Sequence, residues 1–156
     1  MAHKTPWYEE VTTPALLRHA RTTYGTAMRQ ALATAGYDDI PKNGLYLIGG
    51  MAFQSEDMPL GNLVRDLRVS KQAAGQLVDT LVTRGYLQRA VDEQDRRKLT
   101  VTLTDRGHGA AAVQTEARKK IDAELLARVR PADVDITRRT LAALVEIGRH
   151  READDA

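Results

Sequence analysis

The sequence predicts a mainly α-helical fold with one small β-hairpin, and three observations carry that reading. Apolar residues recur at intervals of three and four in long stretches near both ends of the 156-residue chain, the signature of helices that bury one face. Between those stretches, two short helical patterns stand three residues apart. Immediately after them the period drops to two, with threonine alternating against leucine and valine, which is how a half-buried strand reads.

The first helix is expected from about Pro14 to Ala35. Thr13-Pro14 supplies a favoured cap and first residue, and Gly36 closes the segment. Leu17, Ala20, Tyr24, Ala27, Ala31 and Ala35 draw one apolar stripe along it. A second helix is expected to begin near Pro41 and to carry Leu45, Tyr46, Ile48 and Met51, weakened by Gly49-Gly50. Leu60 to Leu67 and Lys71 to Arg84 are the two short helices, separated by Arg68-Val69-Ser70. Ser70 is a good N-cap for the latter, and Gly85 stands where a glycine ends a helix.

Tyr86, Leu87, Arg89 and Val91 read as one strand, and Leu99, Val101 and Leu103 alternate with Thr100, Thr102 and Thr104 as its partner. The seven residues from Asp92 to Lys98 are too polar for anything but an exposed hairpin tip. Thr104 caps a long helix from about Asp105 to Val129, in which Val113, Ala117, Ile121, Leu125 and Val129 repeat every four residues; Pro131 breaks it. A last helix, roughly Ala132 to His150, is expected to bury Ile136, Leu141, Leu144, Val145 and Gly148, with a frayed tail from Glu152 to Ala156.

Length and composition bound the function. At 156 residues with 42% hydrophobic and 28% charged side chains, the chain is expected to form one globular domain that needs no staple. No run approaches the roughly 18 to 20 apolar residues of a membrane span, and no signal-peptide pattern follows Met1, so a cytoplasmic location is expected. Cysteine is absent, which excludes disulfides, thiolate metal sites and cysteine-based redox sensing. His3, His19, His108 and His150 are scattered without ligand spacing, so no metal is expected. Nor is a cofactor or a catalytic residue. There is no Gly-rich phosphate loop or nucleophile elbow, Gly107-His108-Gly109 lacks the context of a nucleotide turn, and Asp38-Asp39 and Asp154-Asp155 fall in loops or tails.

The order helix, turn, helix, strand, charged hairpin, strand places two separate tools for reading a DNA duplex. In such a motif the second helix enters the major groove while the first crosses the backbone. Ser70, Lys71, Gln72, Gly75 and Gln76 occupy its exposed side, with Ala73 and Ala74 too small to obstruct approach. Gln pairs bidentately with adenine, and Lys reaches guanine acceptors or phosphate. Ala74, Leu77, Val78 and Leu81 form the opposite side, facing Leu63, Val64 and Leu67. The same polar residues would also suit the wet side of any amphipathic helix, so the hairpin carries the decision. Arg96 and Arg97 at the end of a narrow ribbon suit the negative potential of a minor groove. Asp95 beside them reads as a carboxylate that holds an arginine extended. Nine cationic against six anionic side chains fall between Leu60 and His108, a modest local excess that fits.

These residues carry a resemblance. Leu63-Val64, Val69-Ser70-Lys71-Gln72, Leu77-Val78-Asp79-Thr80-Leu81, Arg84-Gly85-Tyr86-Leu87, Asp95-Arg96-Arg97 and Leu103-Thr104-Asp105-Arg106-Gly107 resemble the winged helix-turn-helix core of the MarR family of transcription regulators. The likeness implies a single domain over 1–156, with dimerisation helices at 1–36 and 105–150 around a DNA-binding region at 41–104. It also implies a homodimer set on a pseudopalindromic double-stranded operator, with Asp95 and Arg97 as the wing motif and Ser70, Lys71, Gln72 and Gln76 at recognition-helix positions. Gly75 and Gln76 stand where bulkier or basic residues are common in the family, so no operator carries over. Independently of the likeness, the last two helices show more apolar face than a small winged helix can cover, the mark of an interface.

The resemblance further implies a repressor released by a small aromatic or phenolic ligand. Arg18, His19, Tyr24, Tyr46, Met51 and Phe53 are available to line a cleft, but tyrosine and methionine at helical spacing also serve as core, and no ligand residue is assigned. An alternative keeps the winged helix for a protein partner, without operator preference. Lys71, Gln72, Arg96 and Arg97 together argue against it.

Overall fold

The computed structural model describes residues 5–53, 58–59, 65, 67–97 and 99–155. Within them, a 3-10 turn at Trp7–Glu10 precedes helices α1 (Thr13–Thr34) and α2 (Gly44–Phe53) and a two-residue strand β1 (Met58–Pro59). Helix α3 (Lys71–Thr83), strands β2 (Leu87–Val91) and β3 (Leu99–Leu103), and helices α4 (Asp105–Leu126) and α5 (Pro131–Asp154) follow. This is the mainly α winged helix-turn-helix architecture expected. Most of the short helix expected at 60–67 lies outside the described residues; Arg65 and Leu67 are helical.

The hairpin pairs antiparallel from Leu87↔Leu103 to Val91↔Leu99. It is widened by one strand the sequence reading missed: β1 adds to the free edge of β3 through Met58↔Val101 and Pro59↔Thr100, giving the order β1-β3-β2. A strand of two residues has no readable period, and proline, which cannot donate to a ladder, is tolerated at an edge.

Several boundaries move for local reasons. Thr12, not Thr13, is the N-cap of α1, which places Pro14 in its first turn. Helix α2 starts at Gly44 instead of near Pro41, because Pro41 opens a turn whose carbonyl accepts the Gly44 N–H at 2.8 Å. Pro131 both ends the preceding run and begins α5, as proline at a first helical position does. The Asp133 carboxylate caps that turn through the Arg130 N–H at 3.2 Å and its guanidinium at 2.8 Å. The tail expected to fray continues as helix to Asp154.

The chain divides into two compact units, Met1–Arg118 and Lys119–Ala156. The core of the first gathers Leu32 of α1, Leu45, Ile48 and Met51 of α2, Val78 and Leu81 of α3, Tyr86, Leu87, Val101 and Leu103 of the hairpin, and Ala110 of α4. None of the residues of the stripe expected on α1 is buried: Leu17, Ala20 and Ala35 are exposed and Tyr24, Ala27 and Ala31 half-buried, while the helix buries Gly25 and Leu32, each one position further along. In the second unit the expected burial of the last helix is not met within the chain: Ile136, Leu141, Leu144, Val145 and Ile147 are each at least 37% exposed, and Gly148 is half-buried. Ile136, Leu144 and Ile147 fall on one side of α5, with Leu141 and Val145 on another. A helix apolar on two sides has the pattern of one that packs on two neighbours.

Candidate nucleic-acid interface

Helix α3 is held at its start by Ser70, whose Oγ accepts the Ala73 N–H at 3.1 Å and satisfies one of the helix's free donors. Its inner side is closed: Ala74, Val78 and Leu81 have no solvent exposure. Spacings of four, three and four put Gln72, Gln76, Asp79 and Thr83 on the side opposite that core, and all four are exposed. Lys71 is exposed at the N-terminal end. Gly75 is half-buried on the flank, and a Cβ there would meet nothing within 4 Å. The residues singled out on this helix therefore share one open surface. Leu77 and Leu67 are partly buried against the core, as expected, whereas Leu63 and Val64 lie outside the described residues.

The hairpin tip is shaped by two carboxylates. Asp92 Oδ1 accepts the N–H groups of Gln94 at 2.8 Å and Asp95 at 3.0 Å. Asp95 Oδ1 in turn accepts the Arg97 N–H at 3.1 Å. Asp95 thus fixes the backbone that carries the arginine, where a pair with a guanidinium had been expected. Among the described residues no ion pair ties down Arg96 or Arg97, and both are exposed.

Helix α3 packs on β2, and one ion pair joins their exposed margins: the Arg89 guanidinium donates to the Asp79 carboxylate. In the sequence Arg89 stands out only as a strand residue and Asp79 only as part of a motif. The spacing of Asp79 from Gln72 and Gln76 already placed it on their side of the helix, but its partner on the hairpin depends on how the two elements pack.

The root of the hairpin is built from backbone contacts and a polar cluster. Gly85 adopts φ +76°, a conformation that favours glycine, and so turns the chain out of α3. The Thr104 N–H binds the Tyr86 carbonyl at 3.1 Å, and Thr104 Oγ1 accepts the Gly107 N–H at 3.1 Å. A Cβ on Gly107 would stand 2.2 Å from the Tyr86 carbonyl oxygen, so only glycine lets α4 start there.

The buried Tyr86 hydroxyl donates to the Asp39 carboxylate. Arg106 Nη2 donates to Asp39 Oδ1 at 3.1 Å and to the Tyr86 oxygen at 2.9 Å, with its guanidinium carbon 4.5 Å from the Tyr86 ring centre. Burial first, and then the Asp39 hydrogen bond and charge, push the Tyr86 phenol up to about 12. The Tyr86 hydrogen bond, with help from Arg106, holds the Asp39 carboxyl below its ordinary value.

The residues available for a ligand cleft differ in their surroundings. Met51 is buried core, Phe53 is 84% exposed, and Arg18 and His19 are exposed. Tyr46 accepts the Arg21 Nε–H at 3.1 Å. A cavity of about 300 Å³ lies elsewhere, between the end of α1 and the next loop, lined among others by Arg29, Leu32, Tyr37, Ile40 and Leu45. Among the described residues no three His, Asp or Glu side chains are grouped to hold a metal, and no helix is long and apolar enough to cross a membrane.

The fold and this surface define a winged helix-turn-helix protein. Residues 54–98 match the family model described as MarR family, and the resemblance read from the sequence holds. Among solved structures, Streptococcus pneumoniae FabT in complex with DNA is similar at a TM-score of 0.73 and 17% identity, over 86% of this chain and 94% of that one. S. aureus MepR in its DNA-binding conformation is similar at 0.71 and 18% identity, over 87% and 98%. RV1404 from Mycobacterium tuberculosis is similar at 0.67 and 26% identity, over 94% and 96%. No curated protein sequence matches the chain.

Proposed function

We propose that the chain is a sequence-specific DNA-binding transcription regulator, a cytoplasmic homodimer that reads a pseudopalindromic operator and performs no catalysis. One observation carries the reading: a helix wholly buried on one side presents Lys71, Gln72 and Gln76 on its open side, next to a hairpin tipped by two exposed arginines that form no ion pair among the described residues. The glutamine amides are suited to base edges and the cations to phosphates and a minor groove. Similar folds in FabT with DNA and MepR in a DNA-binding conformation support the assignment of DNA as partner.

Ser70, Lys71, Gln72, Gly75 and Gln76 form the major-groove surface, and Asp95, Arg96 and Arg97 the wing. The homodimer is supported by the apolar sides that α5 leaves exposed within one chain. Repression relieved by a small aromatic or phenolic ligand follows from the MarR resemblance.

Selection from a pool of randomised duplexes tests the reading. The expected outcome is enrichment of an inverted repeat with half-sites about one helical turn apart. A pool that stays random after repeated rounds would point to a winged helix kept for a protein partner.

A further inference from the structure

Asp79 is an unusual residue to find where it stands. It lies on the same exposed side of α3 as Gln72 and Gln76, so the surface proposed to face a polyanion includes a carboxylate, 64% exposed. An uncompensated carboxylate there repels phosphates. Arg89 answers it from β2. In the ladder Arg89 is paired with Val101 and alternates with Leu87, so it starts on the sheet face that carries the buried Leu87, Val101 and Leu103. Its guanidinium reaches past that core to the Asp79 carboxylate at the seam between helix and hairpin, and remains 41% exposed.

This seam lies between the element assigned to the major groove and the one assigned to the minor groove, where a winged helix spans a phosphate strand. An arginine free at that place would bind any phosphate, whatever the sequence. Held by Asp79, it contributes no net charge.

We infer that Asp79 masks Arg89 from the DNA backbone and so acts as a specificity-determining residue: it withholds one sequence-independent phosphate contact. The inference rests on the DNA-binding reading above and goes beyond it. Each phosphate neutralised by a protein cation adds about 0.9 to the magnitude of the slope of log affinity against log salt. The mask therefore keeps the chain's salt dependence lower by about one contact than its cation count allows, and lowers binding to irrelevant sequences in proportion.

The test is fluorescence anisotropy over a salt series with the selected operator and with a scrambled duplex, on wild type, Asp79→Asn, Arg89→Gln and the double variant. Both side chains are exposed, so the folded chain should tolerate each change. Asp79→Asn is expected to bind the scrambled duplex more tightly and to steepen the slope by about 0.9, so that its affinity loss between 50 and 200 mM salt exceeds the wild-type loss by roughly 3- to 4-fold. Its preference for the operator narrows accordingly. Arg89→Gln leaves the Asp79 carboxylate uncompensated, so it binds both duplexes more weakly than wild type and does not steepen the slope.

The double variant separates unmasking from simple removal of a negative charge. If Arg89 is the released contact, the double variant, which has lost a pair of no net charge, returns to the wild-type slope. Steepening that persists in the double variant overturns the inference. So does an unchanged or shallower slope in Asp79→Asn, or a slope shallower than wild type by about one in the double variant, which would place Arg89 on a phosphate already. Wild type that binds no duplex overturns the DNA reading and this inference together, whereas operator preference with an inert Asp79→Asn overturns this inference alone.

Discussion

The hydroxyl of Tyr86 donates its hydrogen bond to the carboxylate of Asp39, so the root of the hairpin is tied to the loop that follows α1 by residues 47 positions apart in the chain. Arg106, one residue into α4, closes the triangle on both. The loop after α1, the residue that opens the hairpin and the first turn of α4 thus meet in one polar cluster.

Removing the hydroxyl with Tyr86→Phe leaves the ring packed and deprives both Asp39 and Arg106 of a partner. The expected cost is about 1 to 3 kcal/mol, read as a lower urea midpoint at an unchanged m-value. A variant as stable as wild type would show that the cluster contributes nothing.

The same cluster fixes two limits in pH. The Tyr86 phenol is raised to about 12, so the stability it contributes is complete below the ordinary tyrosine value near 10 and is lost as pH climbs toward 12. The Asp39 carboxyl is lowered; its contribution is complete above the ordinary value of 3.8 and disappears as pH falls through the lowered one. Urea unfolding across pH should show both limbs in wild type and a flattened alkaline limb in Tyr86→Phe. An alkaline limb identical in the two proteins would assign it to other groups.

Two glycines should respond oppositely to alanine. At Gly107 a methyl would stand 2.2 Å from the Tyr86 carbonyl oxygen and 2.9 Å from Leu103 Cδ2. Backbone cannot yield as a flexible side chain can, and a loss of about 3 kcal/mol is expected. Gly75 has open space around it on α3, where alanine should add about 0.5 to 1 kcal/mol through helix propensity alone. Thermal unfolding of the two variants decides the matter; equal shifts would contradict the packing described.

Much of the fold was legible because its signals are local. Ser70 as a cap, Gly85 at the end of α3, the threonine alternation of β3 and the proline between the last two helices each depend on a few neighbours in sequence. What stayed hidden depends on distant pairings. Strand β1 exists only because β3 offers it an edge. Gln114 is 4% exposed in the middle of an expected stripe of valine, alanine and isoleucine. It fits because Gly49 of α2 leaves room for its amide: an added Cβ would lie 2.6 Å from Oε1.

The surface divides in the same way. The exposed side of α3 could be read from a helical period and the arginine tip from composition. The union of Asp79 with Arg89, and the attachment of Asp95 to a backbone N–H in place of a guanidinium, required the geometry of the hairpin.

The exposed apolar sides of α5 yield a prediction for assembly. Ile147→Asp places a charge among side chains that the homodimer would bury, and sedimentation velocity should show a shift from dimer toward monomer. A wild-type chain that sediments as a monomer at all concentrations would remove the basis for reading an inverted repeat.

Arg97→Ala and Gln76→Ala separate the two modes of contact. The first should weaken binding on every duplex and reduce the salt slope by about one. The second should relax preference at a single operator position by roughly 1 to 3 kcal/mol. Indistinguishable effects would mean that helix and wing do not divide the work as proposed.

The most direct test is the affinity of the intact wild-type protein for its selected operator and for a scrambled duplex of the same composition, by fluorescence anisotropy at two salt concentrations. A protein that reads sequence prefers the operator by about 10³-fold or more, with one dimer bound per duplex. Equal, salt-labile affinity for both duplexes would leave only a basic surface and contradict the claim that this winged helix reads DNA.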